Sequence, residues 1–343
     1  MWELRIPGYE MVAKLHEGGT ATSWQAVSTT LNRAVILKIL DPSDFDDAPE
    51  DLVRIIGCMR KAAALKQPGL VPVLDQGEYK GLFYFATEGL HTVPLSEQIL
   101  HQPLPSEQIM DMIQSVARAL DHAWQEAALL HGNLKPRNII TDANGSVMVS
   151  DLGLTRKGDI TDPATGEVRK TMLGTPNYMS PEQAAGRVQL DCRTDIYSLG
   201  ATMYHAATGR MPFHDTPGEP ATIRQLRDFI PHPCDVNSNV STGLGHMISE
   251  MMVRDRDERY ANWGEVLRDL DRIKRMRIFV RKETKLVRST VALPRIPAKK
   301  SSSLATSRRN DNSGLYRLFR FLKWAAILAL WFYVGRMLFR LPP

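Results

Sequence analysis

Cysteine is scarce in this chain: three in 343 residues, Cys58, Cys192 and Cys234. They are too few and too scattered for a bridged framework or a clustered metal centre. They suggest free thiols in a reducing compartment, acting mostly as small apolar groups. Hydrophobic runs are scarce too. Met1 to Met11 holds no basic stretch followed by an apolar one, so no signal peptide is expected. No internal repeat is visible. With 43% hydrophobic and 24% charged residues the composition is that of a globular protein, which excludes wholesale disorder and fibrous folds.

Charge is divided unevenly along the chain, with acid scarce in its tail. Residues 1–271 carry 25 basic and 36 acidic side chains, whereas residues 272–323 carry 16 basic and 2 acidic ones. An acidic body argues against nucleic acid as a partner and turns attention to what the basic tail touches. That tail, 272–314, is Ser-rich in part (SSSLATS at 301–307) and reads as a flexible linker. After it, residues 315–341 form a hydrophobic segment. Its apolar centre is Trp324–Gly335, 12 uncharged residues between Lys323 and Arg336. Twelve residues rise only about 18 Å in a helix, short of a bilayer core of about 30 Å, unless the flanking basic residues snorkel. A membrane-anchoring helix is the expectation, spanning the bilayer or lying on it. The basic linker would face anionic lipid on the cytoplasmic side.

The body divides in two. Residues 9–88 hold short β-type runs, VILKIL (35–40), LVPVL (70–74) and LFYFA (82–86), with one helical stretch near 51–65. Residues 89–271 turn helical, as in SEQIMDMIQSVARALDHAWQEA (106–127), broken by Gly/Pro-rich loops. The fold class expected is α+β, a small β-rich lobe followed by a larger helical lobe with a cleft between them.

Four motifs follow in order: HGNLKPRNII (131–140), SDLG (150–153), GTPNYMSPEQ (174–183) and DIYSLG (195–200). Together they resemble the protein kinase family, most closely bacterial membrane-anchored Ser/Thr kinases. The resemblance covers residues 9–271 and implies the two-lobed kinase fold, with a five-stranded sheet and one helix in the N-lobe. It also implies ATP and Mg²⁺ as cofactors. Phosphoryl transfer relies on positioning and charge neutralisation, and hard oxygen ligands suit Mg²⁺. By the resemblance, Asn138 and Asp151 would hold the metal, Lys38 would grip the phosphates, and Gly18 and Glu88 would join them in binding the cofactor. Lys135 would lie near the transferred phosphate. Glu182 and Arg259 would form a bracing ion pair, and Asp195 would support the loop at 131–133.

The same resemblance exposes departures that fall on chemistry. The position of the family's catalytic Asp is Asn133, and an amide is no general base. The preceding Arg is Gly132. The glycine-rich loop reads His16-Glu17-Gly18-Gly19-Thr20-Ala21, with only its middle glycine in place. Ser23 and Ile36 replace the residues that roof the adenine. The helical glutamate that would pair with Lys38 is Cys58, with no acid from Leu52 to Gln67, so Lys38 would pair with Asp151 or with nothing.

The expectation is therefore a membrane-tethered pseudokinase, a scaffold or allosteric regulator with weakened ATP binding. Its partner proteins would dock on the activation segment and the C-lobe. An active Ser/Thr kinase and a non-hydrolysing ATP sensor are the alternatives. Thr155, Thr161, Thr165 and Thr171 are candidate phosphate acceptors, with Arg156, Lys157, Arg169 or Lys170 as partners.

Overall fold

The computed structural model describes residues 5–18, 20–89, 92–161, 168–172, 174–187, 189–213 and 230–289. The first lobe is a five-stranded antiparallel sheet in the order β1-β2-β3-β5-β4. Its strands are β1 (Tyr9–Glu17), β2 (Thr22–Ser28), β3 (Arg33–Leu40), β4 (Val73–Tyr79) and β5 (Leu82–Glu88). Strands β4 and β5 meet through Lys80 and Gly81, both at positive φ, the two-residue turn whose twist matches a hairpin. The alternation along β3 assigns its faces. Val35, Leu37 and Ile39 pack with Ile6, Ala26 and Ala86. Leu40 faces the other way, toward Phe45, Phe85 and the helix α1 (Pro49–Ala64). Lys38 shares that second face by the period of two.

Helix α1 begins with Pro49 in its first turn and acidic Glu50 and Asp51, residues suited to the positive end of a helix. Leu52, Ile55, Ile56 and Met59 recur at helical spacing and bury its inner face. The helix thus starts two residues earlier than the stretch 51–65 expected from the sequence, which places Asp51 in its first turn.

The second lobe is built around α3 (Ser106–Ala127) and α5 (Cys192–Thr208). Between the lobes lie β6 (Val93–Pro94) and α2 (Leu95–Gln98). Helix α3 buries Ile109, Ile113, Val116 and Leu120 along one stripe and stops at Ala128, which turns left-handed. Helix α5 is capped by the Asp191 side chain and ends at Gly209, φ +72°. It is buried on nearly every face, with Gly200 allowing close approach of Met251 and Met252. Strands β7 (Ile139–Thr141) and β8 (Val147–Val149) join β6 in a small sheet. Strands β9 (Lys157–Thr161) and β10 (Val168–Met172) pair with each other. Short helices α4 (Pro181–Ala184) and α6 (Pro233–Val236) precede α7 (Thr242–Met251) and α8 (Trp263–Ser289).

Arg259 and Glu182 brace this lobe. The guanidinium donates to both carboxylate oxygens, at 2.8 and 2.7 Å, and to the carbonyls of Val253, Arg193 and Arg254. Thr194 donates to the same carboxylate at 3.0 Å. Burial is the largest influence and opposes the Glu182 charge, but the Arg259 bonds and charge, its own backbone N–H and the Thr194 bond together outweigh it and hold the carboxyl below its ordinary value.

Two expectations need correction. Of the run 70–74, only Val73 and Leu74 belong to β4, because Pro72 offers no ladder donor and Leu70 bridges Val149 instead. Ile6, ahead of β1, lies buried in the core of the first lobe. Helix α8 runs past 271 to Ser289, through residues given to the flexible linker, because no Gly or Pro interrupts 265–293. The rest of that linker and the anchoring segment 315–341 lie outside the described residues. Among the described residues no helix is long and apolar enough to cross a membrane.

Candidate functional site

The loop 131–138 is held from beneath by Asp195, in the first turn of α5. Its buried carboxylate accepts the N–H of His131 at 2.7 Å and of Gly132 at 2.8 Å. Burial pushes the Asp195 carboxyl up to about 6, while the two donors pull it back. Gly132 sits at φ +71°, a backbone state that costs a glycine little. The His131 ring is buried and bonds the Ser150 carbonyl through Nε2 at 3.0 Å. Its Nδ1 accepts the Asn133 N–H at 3.3 Å. Burial lowers its pKa to about 4, so the ring is neutral near pH 7. Gln183 donates to the Gly132 carbonyl and Asn138 Nδ2 to the Asn133 carbonyl, completing the staples.

Above this loop a cavity of about 370 Å³ opens under β1–β3. All seven residues the resemblance nominated for chemistry or cofactor binding line it: Gly18, Lys38, Glu88, Asn133, Lys135, Asn138 and Asp151. Lys38 leaves β3 and is in direct contact with the Asp151 carboxylate, the first of the two pairings the sequence allowed. Burial pulls the Lys38 ammonium down to about 7, with Arg137 adding to that; the carboxylate against it works in the opposite direction. Asp151 itself takes φ +64°, a state that costs a non-glycine residue about 1 kcal/mol. Cys58 stands where the helical acid was sought. It packs on the next turn, so that a Cβ at Gly153 would lie 2.9 Å from Cys58 Cβ.

At the other side of the cavity, Asn133 Oδ1 accepts both the N–H and the hydroxyl of Thr175, at 2.9 and 3.0 Å. Lys135 donates to the same hydroxyl at 2.9 Å. Burial, then the Arg137 charge, lowers the Lys135 pKa. Ser23 and Ile36 both border the cavity, and the Thr87 hydroxyl donates to the Ile36 carbonyl at 3.3 Å. Glu88, half-buried at the cavity edge, pairs with Arg33 at 3.3 Å.

The donor set suits a magnesium–nucleotide complex. Asn138 and Asp151 offer hard oxygens for Mg²⁺, and Lys38 offers a charge for phosphate; a cavity of this size is within the usual range for a small ligand, about 300–1,000 Å³. The metal would supply charge neutralisation on the phosphates. His16 and Ala21 bring side chains into what the resemblance treats as a glycine cradle.

Three groups escaped the sequence reading. Asp51, 2% exposed, accepts the Lys157 N–H at 2.6 Å and Arg54 Nε at 2.7 Å, while Arg54 also donates to the Thr155 carbonyl. The first turns of α1 thereby clasp the segment after DLG, although no α1 carboxylate reaches Lys38. Thr175 lay inside a quoted motif without being singled out. Arg137 borders the cavity and reaches His16 Nδ1 at 3.4 Å. One candidate acceptor is corrected: Thr155 is buried, its hydroxyl donated to the His131 carbonyl at 2.6 Å. Thr165 lies outside the described residues.

The family model described as "Protein kinase domain" matches residues 9–269. A probable serine/threonine-protein kinase of Clostridium perfringens is 31% identical over 268 residues, covering 78% of this chain and 38% of the relative. Serine/threonine-protein kinase PknB of Mycobacterium leprae is 31% identical, covering 77% and 43%. Serine/threonine-protein kinase PrkC of Bacillus subtilis is 27% identical, covering 88% and 46%. The chain thus spans less than half the length of these curated relatives. Among solved structures, the PknI kinase domain of Mycobacterium tuberculosis is similar at a TM-score of 0.60 and 20% identity, covering 78% of this chain and 97% of that one.

Proposed function

Because this chain belongs to the protein kinase family, we propose that it acts as a pseudokinase, a signalling scaffold or allosteric regulator that keeps the fold and has lost phosphoryl transfer. The observation that carries this reading is Asn133. It occupies the position where the family places its catalytic Asp, and its oxygen is taken up by two bonds from Thr175. A neutral amide accepts no proton, and general-base help is typically worth about 10²–10⁴-fold. Cys58 adds to this, since it leaves Asp151 as the counter-ion of Lys38. A carboxylate engaged by lysine is less available to a metal, so Mg-ATP binding is weakened. Partner proteins dock on the segment after DLG and on the C-lobe. The chain works at the cytoplasmic face of a membrane, with the basic linker against anionic lipid and the 315–341 segment as its anchor.

The test is phosphate incorporation by the full chain with Mg-ATP and a generic acceptor protein, run beside Asp151→Ala. No difference between the two is expected. Incorporation that disappears in Asp151→Ala overturns the reading.

A second reading, an active Ser/Thr kinase, is favoured by one observation: Lys38, Lys135, Asn138 and Asp151 line a single cavity. Under it, Asn133→Asp raises the rate by about 10²-fold or more. Under the pseudokinase reading that substitution restores nothing measurable.

A further inference from the structure

The loop 133–137 presents two cations and no acid to the cavity. Lys135 and Arg137 both border it, and among the described residues neither has a carboxylate within ion-pair distance. The two nearby carboxylates are already engaged, Asp151 by Lys38 and Glu88 by Arg33. Asn133 adds a third donor. Its Oδ1 is fixed by the Thr175 N–H, a group that donates only to an acceptor, so Nδ2 is turned the other way. Among the described residues nothing accepts from that Nδ2.

We propose that Asn133, Lys135 and Arg137 form a binding site for a phosphorylated serine or threonine side chain of a partner protein. Two positive charges match a phosphate monoester, which carries about −1.5 to −2 at pH 7. A guanidinium, an ammonium and an amide N–H₂ supply the charge-assisted donors its oxygens need. An aspartate in place of Asn133 would put an oxyanion where the amide now donates. The site suits a protein-borne phosphate rather than a nucleotide for two reasons. Arg137 is exposed, so an outside chain can reach it. The buried lysine that would meet nucleotide phosphates is a different residue, Lys38.

This deepens the pseudokinase reading and rests on it: the place of an acceptor hydroxyl becomes a place for a hydroxyl already phosphorylated. The test uses the full chain without nucleotide, so phosphate transfer and failure to bind are separate results. Fluorescence anisotropy compares a peptide carrying a central phosphothreonine, with Ala, Gly and Ser elsewhere, against its threonine twin. The phosphopeptide should bind about tenfold more tightly or better, as expected for bonds to a charged group. Asn133→Asp and Arg137→Ala should each remove about tenfold of that preference while the melting temperature holds. Equal affinity for the two peptides overturns the proposal, as does a preference that survives both substitutions. ATP binding that depends on Arg137, with no preference for the phosphopeptide, assigns the cations to nucleotide and overturns it too.

Discussion

Arg259 offers a sharp separation of charge from geometry. A guanidinium has five N–H donors in a rigid fork. Here its three nitrogens make bonds to five acceptors: the two oxygens of Glu182 and the carbonyls of Val253, Arg193 and Arg254, at 2.5–3.1 Å. Arg259→Lys keeps the positive charge but offers three donors on a point-like ammonium. At least two buried acceptors are left without a partner, and each such loss costs about 1–3 kcal/mol. The stacking of the guanidinium over Tyr197, 5.0 Å from the ring centroid, is lost as well. The expected destabilisation is about 2–6 kcal/mol. For a domain of this size that lowers the melting temperature by roughly 4–24 °C, at about 2–4 °C per kcal/mol. Urea denaturation followed by tryptophan fluorescence measures it, with the midpoint shifting and the slope unchanged. Glu182→Met with Arg259→Met should be less damaging than either single change, since it strands no charge. An Arg259→Lys protein within about 0.5 kcal/mol of the parent would refute the reasoning, by showing that charge alone holds the lobe.

His131 makes stability depend on pH. Its folded value of about 4 lies below the ordinary 6.5, so between those values the unfolded chain binds the proton more readily. Stability conferred by the neutral ring is complete above pH 6.5 and falls as pH drops toward 4, by about 2 kcal/mol at pH 5. Urea midpoints at pH 7.5 and 5 should differ more for the parent than for His131→Gln, and equal differences would contradict the assignment. Asp51→Ala frees the Lys157 N–H, whose bond to this carboxylate is 2.6 Å. Amide exchange at Lys157 should speed up about tenfold or more, the worth of a bond to a charged acceptor. Unchanged exchange would mean other contacts order the segment.

Elements with one strong local pattern were readable in the chain. The stripe Ile109, Ile113, Val116 and Leu120 marked α3 to the residue, and the β-branched run 35–40 marked β3. Four of the side chains around the cavity, Asn133, Lys135, Asn138 and Asp151, were also readable, because spaced motifs carried them. What stayed hidden depended on pairings across long sequence distances. Asp51 and Lys157 are 106 positions apart, and nothing in either neighbourhood announces the bond. Arg137 read as one more basic residue until the fold placed it against His16 from β1. Thr155 looked like an exposed loop hydroxyl, since its burial comes from the His131 carbonyl folding over it. The end of α8 was missed for a different reason. Basic, helix-permissive residues read equally well as linker, and composition alone does not choose between them.

Asp195 grips the loop by its main chain, through the N–H groups of His131 and Gly132 rather than through any side chain. Every amino acid except proline brings such an N–H. The support is therefore blind to what the loop displays toward the cavity. Gly132 and Asn133 can stand where the resemblance leads one to expect Arg and Asp, and the loop still rests on the same carboxylate. A platform of this kind lets the displayed groups be exchanged one at a time without an unfolded intermediate between them. The tolerance is for identity, not for shape: a proline at 131 or 132 would delete a bond, and a bulky β-branched residue at 132 would resist φ +71°.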